Sequence, residues 1–133
     1  MEFELDARLV ADTVSVAVID NIDIRLMLDA RYWWLVLVPQ IDAAVEWQDL
    51  PEADALSLHH MSMRAANALR DLAHAEKMNI GALGNMVRQL HVHVIARHEG
   101  DAAWPGPVWG VGDSEDYADD VLQARLAALR AAL

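Results

Sequence analysis

The sequence predicts an α+β domain with an antiparallel sheet, one long central helix and a C-terminal helix. Short apolar segments with a two-residue period are typical of strands that bury one face, and they lie on both sides of a long segment with three- and four-residue apolar spacing. Strands grouped around one long helix, instead of alternating regularly with helices, favour α+β over a parallel α/β sheet.

The N-terminal part of the chain predicts three strands. We expect a short helix or turn over residues 5–12, and the alternating valines that follow predict the first strand. Apolar runs predict a second strand over 24–28 and a third over 32–38, which Pro39 ends because proline cannot donate to a ladder. The three residues 29–31 are short enough for a hairpin connection between them.

The middle of the chain predicts a long helix. Asp49 fits the N-cap position and Pro51 fits the first turn. Apolar residues then recur on one face until about His74, at Leu58, Met61, Ala65, Leu69 and Leu72. This stripe predicts a helix that packs against the sheet.

The C-terminal part predicts two more strands and a final helix. We expect a short strand over 78–80 and an alternating strand through Val92 that ends near Ala96. The four glycines and two prolines of residues 100–112 predict a loop, and Ser114 fits the cap of a helix over about 114–132. We therefore interpret residues 1–133 as a single domain.

Composition excludes several classes of function. The chain has 133 residues and no cysteine, which excludes disulfides, thiolate metal sites and cysteine nucleophiles. Its net charge of −11 disfavours non-specific binding of nucleic acid. The longest apolar run, 33–39, is too short to span a bilayer, and the acidic start is unlike a signal peptide. We expect a soluble cytoplasmic protein that does not bind membranes.

The most informative segment is Gln89-Leu90-His91-Val92-His93-Val94-Ile95. On a strand, side chains two residues apart share a face, so Gln89, His91 and His93 lie opposite an apolar row. A neutral imidazole is a good nucleophile near pH 7, and a second imidazole can donate a hydrogen bond to phosphate. Backbone N–H groups of the preceding segment at Gly84 and Asn85 could bind the same phosphate.

These residues resemble the histidine triad (HIT) family, which has the pattern His-φ-His-φ-His-φ-φ, where φ is apolar, on a strand after an Asn- and Gly-containing segment. The order of Asn79-Ile80-Gly81, Gly84-Asn85-Met86-Val87 and the histidine segment matches that pattern, as do Val38-Pro39 and Trp104-Pro105-Gly106. The resemblance covers roughly residues 12–110. It implies a HIT-like fold and a homodimer that binds a nucleotide and hydrolyses or transfers its nucleotidyl group.

The resemblance also implies roles for individual residues. His91 matches the histidine that attacks the α-phosphorus and becomes transiently nucleotidylated, and His93 matches the one that helps to hold the phosphate. Asn79 and Gly84 match residues that line the phosphate site. Asp29 matches the acid that holds the ribose hydroxyls. Trp104, together with Trp109, lies in the segment that in the family reaches the nucleotide pocket or the dimer contact; a loop fixed by its own tryptophans is the alternative.

Two residues depart from the family pattern. Gln89 replaces the first histidine of the triad, so this position keeps hydrogen bonding but cannot titrate. Met86 replaces a small hydroxyl residue, which removes a phosphate contact. These changes favour an alternative hypothesis of a non-catalytic nucleotide-binding or regulatory module. A third hypothesis is a metal site at the His-x-His pair, although we expect no metal or other cofactor because no acid or cysteine completes the ligand set.

Overall fold

The computed structural model describes residues 2–133, so Met1, the first residue of the predicted domain, lies outside the described part. One five-stranded antiparallel sheet forms the centre of the fold, with the spatial order β1-β2-β3-β5-β4. The strands are β1 (Thr13–Ile19), β2 (Ile22–Met27), β3 (Trp34–Pro39), β4 (Lys77–Gly81) and β5 (Val92–Arg97). This architecture confirms the predicted α+β class.

Three α-helices accompany the sheet: α1 (Ala7–Asp12), α2 (Glu52–Ala73) and α3 (Asp119–Ala132). Helices α2 and α3 cover one face, where leucines of β3 and valines of β5 pack against Leu58, Met61 and Leu129. Helix α1 and the loop after β5 cover part of the other face through Leu9 and Val108. The histidine segment therefore has a helix-covered side and a loop-covered side.

Helix α2 begins later than predicted. The Asp49 carboxylate accepts hydrogen bonds from the N–H groups of Val45 and Glu46 at 3.1 and 2.8 Å, which closes a 3-10 turn over Trp47–Asp49. Asp49 therefore caps this turn and not the helix, which begins at Glu52. The predicted end is confirmed, because His74 follows the last helical residue with a left-handed φ of 51°.

Two further boundaries were predicted wrongly. The final helix begins at Asp119 and not at Ser114, because Glu115 is bound to the β2–β3 connection: its carbonyl accepts from the Ala30 N–H at 2.7 Å, and its N–H donates to Asp29. The β2–β3 connection is also longer than residues 29–31. It runs from 28 to 33, and the Asp29 carboxylate accepts from the Arg31 N–H within it.

Within residues 2–133, no helix combines the length and the apolar composition needed to cross a membrane.

Candidate active site

The two histidines lie side by side on the loop-covered face. His93 belongs to β5 and His91 immediately precedes that strand. Their ring centroids are 4.9 Å apart, and both residues are buried. Val92 and Val94, which alternate with them, belong to the apolar core on the opposite face. The alternation along one strand therefore separates the imidazoles from the helices.

The backbone fixes the tautomer of His91. Its Nδ1 atom lies 2.7 Å from the carbonyl oxygen of Gln89. A carbonyl can only accept a hydrogen bond, so Nδ1 carries the proton and Nε2 keeps its lone pair. The arrangement thus leaves His91 with one nucleophilic nitrogen, Nε2.

A tryptophan fixes the tautomer of His93. The indole N–H of Trp34 donates to Nδ1 of His93 at 2.9 Å, so the neutral ring carries its proton on Nε2. Burial, and secondarily the neighbouring His91, lowers the pKa of His93 to about 3. His93 is therefore a neutral hydrogen-bond donor at physiological pH and not a proton-donating imidazolium.

Trp109 forms a further side of the site. Its ring lies edge-on to the rings of His93 and Trp34, with centroid distances of 5.2 and 6.3 Å. A Cβ atom at Gly81 of β4 would lie 3.6 Å from this ring, so the indole packs close to that position of the strand. Its indole N–H is buried and has no hydrogen-bond partner within the described residues. Trp109 thus shields His93 from solvent.

A buried arginine holds the loop that carries Trp109. Arg97, on the same face as His93, is 1% exposed and donates from Nε and Nη2 to both carboxylate oxygens of Asp101, at 2.7 and 2.9 Å. It also donates to the Asn79 side chain and to the Gly106 carbonyl. Hydrogen bonds from Arg97 lower the pKa of Asp101 to about 2. This pair fastens the loop to β4 and β5.

A cavity of about 270 Å³ lies in front of the histidines. Gly84 and Asn85 line it together with His91 and His93, and Gly84 has a φ of 73° that a side chain would disfavour. A second cavity of about 480 Å³ shares lining residues with the first, namely Asp12, Met27 and Trp109. Together they offer space for a ligand larger than a phosphate.

Asp29 lines the larger cavity, but its carboxylate is already bound. It accepts from Arg31 Nε and Nη2 at 3.0 and 2.9 Å and from the Glu115 N–H at 3.2 Å. Burial raises the pKa of Asp29, but the hydrogen bonds from Arg31 and Glu115 outweigh it, so the net pKa is lowered. A ligand hydroxyl would have to compete with these charge-assisted bonds.

Three other predicted residues lie outside the histidine cavity. Asn79 faces a separate cleft beside Pro105 and Pro107, and its amide oxygen accepts from Arg97 at 2.7 Å. Trp104 packs under the Arg97 guanidinium, whose Cζ lies 5.7 Å from the centroid of the Trp104 ring. This contact fits a loop fixed by its own tryptophan. The Gln89 side chain binds the N-terminal segment.

Sequence reasoning missed Trp34 and Arg97 as residues that shape the site. Trp34 lies on β3, and only the pairing of β3 with β5 brings its indole N–H to His93. Trp109 was predicted as a candidate for the nucleotide pocket or the dimer contact, from its place in the Gly- and Pro-rich loop and from the family resemblance. Arg97 gave no signal, because an arginine at a strand end is usually solvated.

No group of three or more histidine, aspartate or glutamate side chains suited to a metal ion occurs in residues 2–133.

Comparisons with known proteins identify the family of this chain. The family model described as the HIT domain matches residues 8–100. A solved histidine triad protein from Sinorhizobium meliloti is 44% identical, with a TM-score of 0.96, and the match covers 98% of this chain and 97% of that chain. One from Bradyrhizobium japonicum is 41% identical, with a TM-score of 0.96 and 98% of each chain covered. One from Marinobacter aquaeolei is 38% identical, with a TM-score of 0.97, and the match covers 100% of this chain and 97% of that chain. Among curated proteins, none shows significant similarity to the chain.

Proposed function

The chain belongs to the histidine triad family, and from this premise we propose that it transfers a nucleotidyl group to water through His91. The substrate class would be a nucleoside phosphoramidate or a dinucleoside polyphosphate. The observation that carries the proposal is the bond between His91 Nδ1 and the Gln89 carbonyl, because it leaves Nε2 with the lone pair that attacks.

The reaction would proceed in two displacements. Nε2 of His91 attacks the α-phosphorus, an Nε2–P bond forms, and the P–N or P–O bond to the leaving group breaks; the leaving group takes the electron pair and a proton from water. A second water then attacks phosphorus, the Nε2–P bond breaks, and its electron pair returns to Nε2. The water's proton passes to solvent, and a nucleoside monophosphate leaves.

The neighbouring groups would stabilise the phosphoryl oxygens. His93 is neutral, so its Nε2–H can donate a hydrogen bond without a change of charge. Gly84 and Asn85 line the same cavity, and their backbone N–H groups would be the donors to a second oxygen. Trp109 and Met27 line both cavities and offer apolar side chains against which a nucleobase could pack.

The function is tested by incubating the protein with adenosine 5′-phosphoramidate and with a diadenosine polyphosphate, and following AMP release by chromatography. We expect release by the wild type and a loss of at least about 10³-fold in His91→Ala. His60→Ala is the matched control, since His60 is exposed on α2, and it should retain wild-type release. Equal release by wild type and His91→Ala would refute the mechanism.

A non-catalytic nucleotide-binding module is the second candidate. Gln89 favours it, because an amide at the first triad position cannot exchange protons and its side chain is engaged elsewhere. Binding of AMP by the wild type, without release from either substrate, would support this candidate over the enzyme.

We also propose that the protein acts as a homodimer. Strand β4 is an edge of the sheet, paired only with β5 among the described residues, and its Ile80 side chain is 43% exposed. An unpaired edge with exposed apolar groups can pair with a second copy. Light scattering after size exclusion should give twice the chain mass, and Ile80→Lys should shift it toward the monomer.

A further inference from the structure

The N-terminal segment forms one side of both cavities at the proposed site. Phe3 and Leu5 pack against the apolar cluster on the loop-covered face. Helix α1 follows, and its Leu9 is 4% exposed and lines the histidine cavity. Asp12, the last residue of α1, lines both cavities. The cavity wall therefore depends on how residues 4–12 are held.

The side chain of Gln89 holds this segment with two hydrogen bonds. Its Oε1 accepts from the N–H of Asp6 at 2.9 Å, and its Nε2 donates to the carbonyl of Glu4 at 2.8 Å. In extended chain, the C=O of one residue and the N–H two residues later point to the same side. The carboxamide thus pairs with the segment as a neighbouring strand would.

A histidine could not make the same pair of bonds. A neutral imidazole has one donor and one acceptor, but they lie on opposite sides of a rigid ring and diverge, whereas the oxygen and nitrogen of a carboxamide leave the same carbon. A carboxylate has no donor for the Glu4 carbonyl. Of these three side chains, only glutamine satisfies both backbone groups.

We propose that Gln89 is a positioning residue that docks residues 4–12 beside the histidines and thereby completes the wall of the ligand cavity. This inference rests on the proposed nucleotide function for the identity of the ligand. Glutamine at the first triad position then serves affinity for the ligand. It exchanges no proton, but it attaches residues 4–12 as a wall of the cavity. Its own carbonyl also holds His91, so one residue supports both the nucleophile and the wall.

The test compares Gln89→Glu and Gln89→His with the wild type, with Gln123→Glu as a matched control because Gln123 is exposed on α3. Hydrogen exchange of the backbone amides of residues 6–12 measures the docking directly and needs no ligand. We expect exchange to accelerate by about tenfold or more in both Gln89 variants, since neither glutamate nor histidine can make both hydrogen bonds, and to be unchanged in the control.

Binding and turnover are measured on the same proteins. We expect the Kd for AMP to rise about tenfold in both Gln89 variants, with a smaller change in kcat, because a wall of the cavity is loosened while His91 Nδ1 keeps its carbonyl partner.

Unchanged exchange of residues 6–12 in Gln89→Glu would overturn the inference. So would a fall in kcat with unchanged Kd, which would assign the side chain to the chemical step. A wild type that neither binds AMP nor releases it would contradict the proposed function and, with it, the affinity role; the exchange comparison would still decide whether Gln89 holds the segment.

Discussion

The two faces of the β3–β5 strand pair are both buried, but they are built from different kinds of residue. The face toward α2 is apolar throughout, with Leu35 and Leu37 of β3 beside Val92 and Val94 of β5. The loop-covered face buries polar groups between its apolar residues, namely His91, His93 and Arg97.

The difference shows where stability and chemistry are separated in this fold. Apolar side chains on the α2 face need only to be covered, which one amphipathic helix does. Each buried polar group on the other face needs a specific partner from outside its own strand. Trp34 of β3 donates to His93, and Arg97 is bound by Asn79 of β4 and by Asp101 and Gly106 of the loop that follows β5. The loops on that face are therefore structural partners of the site.

The largest expected effect is the loss of the buried ion pair on the loop-covered face. Arg97→Met leaves the Asp101 carboxylate buried without its partner, so we expect the free energy of unfolding to fall by about 3–5 kcal/mol in urea denaturation. Arg125→Met is the control, since Arg125 is half-buried and lies 4.6 Å from the Trp33 ring centroid, and it should cost less. An equal fall in the free energy of unfolding in both variants would contradict a special contribution of the buried Arg97–Asp101 pair.

The α2 face is tested with a cavity-forming substitution. Leu37 is 0% exposed, and Leu37→Ala should lower the free energy of unfolding by about 3 kcal/mol. Because this face does not contact the cavities, AMP release per folded molecule should remain at the wild-type value under conditions where the variant is folded. A tenfold loss of release would show that the two faces are coupled.

The next effect concerns pH. The ordinary pKa of histidine is 6.5, and burial lowers that of His93 to about 3. The unfolded chain therefore binds this proton first, and folding stability falls as the pH drops below 6.5, by about 2 kcal/mol at pH 5 for one such group. Urea denaturation at pH 7, 6 and 5 should show this loss in the wild type, and His93→Gln should lack that component. Parallel pH profiles would contradict the assignment of a buried neutral imidazole.

The smallest expected effect on stability is the loss of one hydrogen bond, tested by comparing substitutions at two adjacent tryptophans. Trp34→Phe removes the indole donor to His93 Nδ1, and we expect a loss of about 1 kcal/mol in stability with about a tenfold loss of AMP release. Trp33→Phe changes the neighbouring residue, which packs with the α2-side core, and should leave release unchanged. Similar release by the two variants would show that the tautomer of His93 has no part in turnover.

The sequence predicts the local parts of this fold well. The apolar stripe of α2 and the alternation around Val92 and Val94 depend on nearby residues, and both elements form as expected. The errors occur at helix starts, where polar groups near the predicted cap form hydrogen bonds outside the helix. Asp49 closes a 3-10 turn before α2, and Glu115 binds the β2–β3 connection before α3 begins.

Only the part of the site that lies on a single strand was predictable from the sequence. The spacing of His91 and His93 places both on one face, but the tautomers depend on a backbone carbonyl and on Trp34 from another strand. Asn79 illustrates the limit of prediction from a local motif. The motif assigned it to the phosphate site, whereas its amide oxygen accepts from Arg97 and the residue lines a separate cleft beside Pro105 and Pro107. Such partners are set by tertiary pairing and leave no local pattern.

The most direct test of the account is detection of the covalent intermediate. The protein is mixed rapidly with adenosine 5′-phosphoramidate and quenched in base, because phosphorus–nitrogen bonds on histidine hydrolyse in acid, and peptides are then analysed by mass spectrometry. We predict an adenylyl group on His91 that is absent from His91→Ala. An adduct on His93, or rapid AMP release with no adduct on either histidine, would contradict the claim that Nε2 of His91 is the nucleophile.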